Sequence, residues 1–327
     1  MSPATIPGAA PVAAARSPGP VRRALSAASC ALLLIWSAVA AVADTPAPAL
    51  IPVTMLVGFT PSAVLHGNRN DVEASFKVLC DSIGRKRGFA VTSKIRIFHD
   101  ADEFHRAIAA GEINFAVFDT FSFIGERSRS QLTPEFIPAT KGLPVRRYLV
   151  LVRRDRGLHT LDDLRGKRLV ELQAPNVSVG NKWLLSLLLA KGARTQGEFF
   201  STVESVDRAS AAVLPVFFGK QDACLVDELS FKLMEELNPQ VGVRLVAIQT
   251  SEPLVGSVIC VSETNWSTPL FRPALLQALG ELHLDPAGRQ MLDLFKIDRM
   301  APYQAPLLAT IEAIWNSNPR LQKEEVP

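Results

Sequence analysis

The chain has 327 residues, with 48% apolar and 7% aromatic side chains and a formal net charge of +3, which suffices for one large or two medium cores and excludes a largely disordered protein. The charge belongs to the first residues: Met1 to Ala43 holds three arginines and no acid, so 35 basic residues fall to 32 against 32 acidic ones once that segment is removed. A neutral chain gives no general basis for nucleic-acid or membrane-surface binding, and no nucleic-acid partner is expected.

Residues 1–20 are rich in Ala and Pro, Arg22 and Arg23 follow, and an uncharged run from Ala24 through "ALLLIW" ends in Ala41-Val42-Ala43 before Asp44. A positive start, an apolar middle and a small-x-small end form a secretory signal peptide, residues 1–43, with cleavage expected after Ala43. An uncleaved anchor is the alternative, since the run approaches the about 20 residues that span a bilayer. Residues 44–50 read as a linker. Cys80, Cys224 and Cys260 remain, with no C-x-x-C pair, and no disulfide is expected.

From Ile51 strand and helix patterns alternate. "IPVTMLVGF" predicts a buried strand, "DVEASFKVLCDSIGRKRG" a helix with Val72, Phe76, Leu79, Cys80 and Ile83 on one face, "KIRIF" a strand, "DADEFHRAIAAG" a short helix and "INFAVF" a strand. After "YLVLV" a second series runs "RLVEL" strand, "SVGNKWLLSLLLAKG" helix, "EFFSTV" strand, "DRASAAVLPVFFG" helix, "DACLV" strand, "DELSFKLMEELNP" helix and "VRLVAI" strand. Strands separated by helices of this length predict parallel sheets covered on both faces, and two series predict two lobes. "PLVGSVICV" has strand character and carries the chain back, and the remaining tail reads as helical with no further strand series. Lobe 1 is therefore expected over 51–147 and 253–327, and lobe 2 over 148–252.

In their order and spacing, several of these blocks resemble the phosphate/phosphite/phosphonate class of periplasmic substrate-binding proteins of ABC transporters. They are "DADEFHRAIAAGEINFAVFDTFSFIGE", "GLHTLDDLRGKRLVELQAPNVSVGNKWLLSLLLAKG", "DRASAAVLPVFFGKQDACLVDE" and "IQTSEPLVGSVICV". The resemblance implies a two-lobed α/β fold of the type 2 periplasmic-binding-protein kind, each lobe a mostly parallel sheet flanked by helices. It also implies export to the periplasm, a monomer, and delivery of a small solute to a membrane permease without catalysis or cofactor. The sequence departs from the family where a run of hydroxyls precedes the loop glycine: here it reads Asn176-Val177-Ser178-Val179-Gly180, and two of the three hydroxyls are valines.

Candidate site residues gather where strands hand over to helices, the edge at which such sheets bind ligands. The helix start at Ser178 offers unpaired N–H groups and a positive dipole end to an anion; Ser178 either donates to that anion or caps its own helix. Asp119, Asp207, Asp227 and Glu228 follow strands and serve either as caps or as acceptors for an amine or hydroxyl. The expected ligand-binding set is Phe118, Asp119, Thr120, Asn176, Ser178, Gly180, Asn181, Asp207, Asp227 and Glu228, around an organic anion or zwitterion such as an amino- or hydroxyl-bearing carboxylate or phosphonate. Two other functions are open. One is a sensor subunit for a membrane histidine kinase; the other is an exported serine hydrolase using Ser178, with Asp227 and His283 in triad order but without the glycine two residues before the serine. The histidines lack metal-ligand spacing, and no metal is expected.

Overall fold

The computed structural model describes residues 49–60, 69–98, 100–173 and 178–322, and the described structure below belongs to one compact unit, Leu50–Pro327. The expected signal segment, 1–43, and Asn176 lie outside the described residues. No described helix is long and apolar enough to cross a membrane.

In chain order the elements are β1 (Ile51–Phe59), α1 (Arg69–Lys86), β2 (Phe89–Ile97), α2 (Ala101–Ala109), β3 (Phe115–Asp119), α3 (Thr120–Glu126), β4 (Leu132–Ala139) and β5 (Tyr148–Arg153). There follow β6 (Arg168–Leu172), α4 (Ser178–Ala190), β7 (Thr202–Val206), α5 (Ala209–Phe217), β8 (Ala223–Asp227), α6 (Glu228–Leu237), β9 (Leu245–Thr250) and β10 (Ser257–Ser262). The chain closes with α7 (Phe271–Gly280), α8 (Pro286–Leu294), β11 (Arg299–Pro302) and α9 (Ala309–Ser317).

The strands form two sheets, ordered β11-β4-β10-β3-β1-β2 and β7-β6-β8-β5-β9. Each has three parallel strands along one side, β2-β1-β3 and β7-β6-β8, which the alternating strand and helix patterns predicted. The crossing strands β10 and β5 enter antiparallel, as do β4 and β9 beyond them. The sheets are therefore mixed, because a strand that leaves one lobe for the other needs no right-handed crossover helix. The two sheets repeat one winding, although the sequence carries no repeat beyond the shared βαβ pattern.

Two expectations need correction, and one strand was not expected at all. "EFFSTV" is not one strand: Thr195 caps a single helical turn, Gln196–Phe199, by accepting from the Glu198 N–H at 3.2 Å, and Phe199 and Phe200 are buried anchors. β7 begins only at Thr202. The tail contains a strand, β11, which pairs antiparallel with β4. β4 itself was hidden by Pro134 and Pro138, which cannot donate to a ladder and read as strand breakers.

Two apolar clusters cover the faces of the six-stranded sheet. Residues such as Met55, Phe59, Phe115 and Ile259 pack against α1, α7 and α8. The opposite face, with Phe118, Ala116 and Val258, packs on α2 and α3 and is continuous with Tyr148, Leu225, Val179, Trp183 and Leu184 of the second sheet and its helix α4. One apolar cluster thus runs through both lobes.

Candidate functional site

Asp119 and Asp227 occupy equivalent places in the two lobes, each the last residue of a central parallel strand and the N-cap of the helix that follows. Asp119 accepts from the N–H of Ser122 at 3.1 Å and from its hydroxyl, and Asp227 accepts from the N–H of Ser230 at 2.9 Å and from its hydroxyl. A short acid before a serine three residues on is a capping arrangement that satisfies orphan helix N–H groups. Both aspartates are buried, at 1% and 2% exposure, so neither is a free surface acceptor.

From the second lobe, Lys182, in the second turn of α4, reaches Asp119. Its ammonium is 3.5 Å from Asp119 Oδ1 and 5.3 Å from the centre of the Phe121 ring. A lysine of one lobe therefore neutralises an aspartate of the other. Sequence reasoning missed Lys182 because a lone lysine carries no motif; its position four residues after the start of an otherwise apolar helix is the signal that could have found it.

The first turn of α4 is seated by Gly180. A Cβ there would stand 2.4 Å from Cδ1 of Tyr148, so the glycine exists to let the helix backbone lie on the aromatic ring. Tyr148 is fully buried, and burial holds its phenol far above the ordinary range. Its N–H donates to Ser251 Oγ at 2.9 Å, which ties the outgoing crossing strand to the returning one.

Two acceptors lack partners among the described residues on either side of the β6–α4 connection: Oε2 of Glu171 near the end of β6 and Oδ1 of Asn181 at the start of α4. Glu171 is 5% exposed. Its other oxygen accepts from Gln173 Nε2 at 3.1 Å and from Ser205 Oγ at 2.9 Å. A buried carboxylate oxygen without a protein donor is costly unless an ordered water or a bound molecule donates to it. Glu171 was also missed from sequence, where it reads as part of the strand "RLVEL".

The remaining expected residues scatter. Phe118 is 1% exposed and packs its ring on Phe104 and Phe123, as a core residue does. Thr120 is buried and donates to the Val255 carbonyl at 2.7 Å, fastening α3 to the returning strand. Asp207 is exposed at the end of the edge strand β7 and pairs only loosely with Arg208, at 3.5 Å. Glu228 pairs with Lys232 along α6 at 2.8 Å. The side chain of Ser178 and all of Asn176 lie outside the described residues. In the hydrolase alternative Asp227 would orient His283, but its carboxylate is bound to Ser230 and the start of α6. Among the described residues no group of His, Cys, Asp and Glu could hold a metal ion.

A family model described as "ABC transporter, phosphonate, periplasmic substrate-binding protein" matches residues 62–306. No curated protein matches the sequence. Solved structures share the fold. A Xanthomonas citri protein solved bound to ATP superposes with a TM-score of 0.58 at 17% identity, covering 83% of this chain and 98% of that one. The binding-protein component of an ABC phosphonate transporter from Pseudomonas aeruginosa superposes with a TM-score of 0.54 at 12% identity, covering 84% and 89%. At such identities the likeness speaks for the fold, a two-lobed periplasmic-binding-protein architecture.

Proposed function

The chain belongs to the phosphonate periplasmic substrate-binding family of ABC transporters, and from that premise we propose that it captures a small organic anion bearing a hydrogen-bond donor, an amino- or hydroxyl-substituted phosphonate or carboxylate, and delivers it to a membrane permease. The anionic end meets the amino-terminal end of α4 and the ammonium of Lys182. The donor end meets Glu171 and Asn181.

The observation that carries this reading is the pair of buried acceptors without partners, Glu171 Oε2 and Asn181 Oδ1. A site that presents such groups penalises a ligand unable to donate to them, so the discrimination is against the bare anion as much as for the zwitterion. Lys182 supports the anionic half: its 3.5 Å separation from Asp119 exceeds the roughly 2.7–2.9 Å of a strong charge-assisted bond, so a ligand oxyanion is a better partner than the aspartate. Two valines in place of family hydroxyls remove neutral donors each worth about 0.5–1.5 kcal/mol, which weakens a multiply charged phosphorus group more than a singly charged one.

The expectation that Asp119, Asp207, Asp227 and Glu228 receive the cationic end moves to Glu171. Calorimetric titration with an aminoalkylphosphonate, its des-amino analogue and inorganic phosphate tests this. The amino compound is expected to bind at least about tenfold tighter than phosphate, a difference of about 1.4 kcal/mol, and Glu171→Gln is expected to erase most of that preference. Phosphate binding as tight as the amino compound, unchanged in Glu171→Gln, would sink the reading.

A further inference from the structure

We propose that lobe 1 holds a binding site in an apolar pocket, partly open to solvent, that takes a small uncharged hydrocarbon-like molecule of about benzene's size. The pocket lies between one face of the six-stranded sheet and helices α1, α7 and α8. Phe59 and Phe115 wall it from the strands, Leu79 and Cys80 from α1, Leu275 from α7 and Met291 from α8. Its volume is about 100 Å³.

Protein interiors are packed to crystal density and keep few voids larger than one water molecule. Apolar lining that faces solvent rather than packed atoms forgoes dispersion contacts and burial, so a molecule that covers it is favoured. Water does not suit it, because an ordered water needs two to four polar partners. Among the described lining residues only Arg87 and Ser257 end in strongly polar groups, and Arg87 is engaged by Glu281 at 2.9 Å. The thiol of Cys80 is pushed up to about 12 by burial and stays protonated, so it serves as one more soft apolar wall. Apolar cavities of about 150 Å³ in other proteins stay dry and bind benzene, and the same physics selects the occupant here. Charged or strongly hydrogen-bonding molecules are excluded by the lining.

The chain provides its own reporters. Of its five methionines, Met55, Met291 and Met300 line the pocket, whereas Met234 is buried in the core of the other lobe. Benzene is titrated into the mature protein labelled with carbon-13 at the methionine methyls. The Met55, Met291 and Met300 resonances are expected to shift saturably while Met234 stays still. The melting temperature is expected to rise by roughly 2–4 °C when benzene is about tenfold above its Kd. Ala278 faces the pocket, and Ala278→Leu fills it; the shifts and the rise in melting temperature should then vanish. Should that variant fail to fold, Ala274→Val narrows the same wall and is read the same way. Unmoved methyls in the natural chain, four methyls moving alike, or shifts that persist in the filled variant would each overturn the proposal.

Discussion

The ammonium of Lys182, carried by helix α4 of the second lobe, stands 3.5 Å from the carboxylate of Asp119 at the end of a first-lobe strand, an ion pair that joins the two lobes. Lys182 is 16% exposed at its side chain and Asp119 2%, so neither charge is well hydrated. Removing one partner of a buried pair leaves an uncompensated charge.

Lys182→Met is therefore expected to act twice. It destabilises the two-lobed unit at neutral pH, because a carboxylate only 2% exposed loses the ammonium that stands 3.5 Å from it. It also weakens the bound anion by the worth of one charge-assisted hydrogen bond, about 1.5–3 kcal/mol, or roughly tenfold to 150-fold in Kd. Melting curves and calorimetric titration check the two effects separately. An unchanged Kd would show that Lys182 serves only to balance Asp119.

A second prediction concerns Gly180. A methyl group added there would stand 2.4 Å from Tyr148 Cδ1, which makes Gly180→Ala an overpacking substitution, expected to cost about 1–3 kcal/mol. Tyr148→Leu removes the opposing ring and should make the second substitution cheaper in the double variant than in the natural background. Denaturant unfolding of the four proteins gives the coupling energy. Additive losses would mean that the helix start yields by moving rather than by clashing.

Much of the architecture is legible from period alone. β1 and β6 have the bounds their apolar runs predict, and the family blocks fix the order of the rest. What stayed hidden follows from local chemistry. β4 carries two prolines, β11 has four residues, and β7 starts beyond a pair of phenylalanines that look like strand but serve as anchors. The roles of the candidate residues were less legible than their places in the fold. Asp119 and Asp227 sit at the strand ends where sequence put them, yet the serines three residues on make both of them caps. Lys182 and Glu171 carry no motif, and their meaning arises only from burial and from what stands across the cleft.

The cysteines give a third prediction. Cys80, Cys224 and Cys260 are buried and free, and burial raises all three thiols, Cys80 to about 12. The thiolate is the reactive species. At pH 8 none of the three should be alkylated by iodoacetamide in the folded protein, and all three should react once denaturant unfolds it. Rapid modification of Cys224 in the native state would contradict its place inside the second-lobe core.

The last prediction is a pH dependence located at Asp222, just ahead of β8. Its carboxylate accepts from the N–H of Arg168 at 3.0 Å and from that residue's guanidinium at 3.0 and 3.3 Å, joining the start of β6 to the start of β8. The guanidinium hydrogen bond is the largest cause that holds the Asp222 carboxyl below its ordinary range, and the backbone N–H adds to it. A group whose folded pKa is depressed contributes stability that is present above the unfolded value, about 3.9 for Asp, and lost as pH falls through the folded value. Asp222→Asn should therefore be less stable than the natural chain at pH 7, and the gap should narrow steadily below about pH 4 until the two unfold alike. The exposed Arg168 side chain is partly screened, so added salt should shrink the same gap at pH 7. Urea unfolding of both proteins at pH 7 and at acid pH measures it. A gap that widens on acidification would mean that Asp222 acts by packing and not by charge.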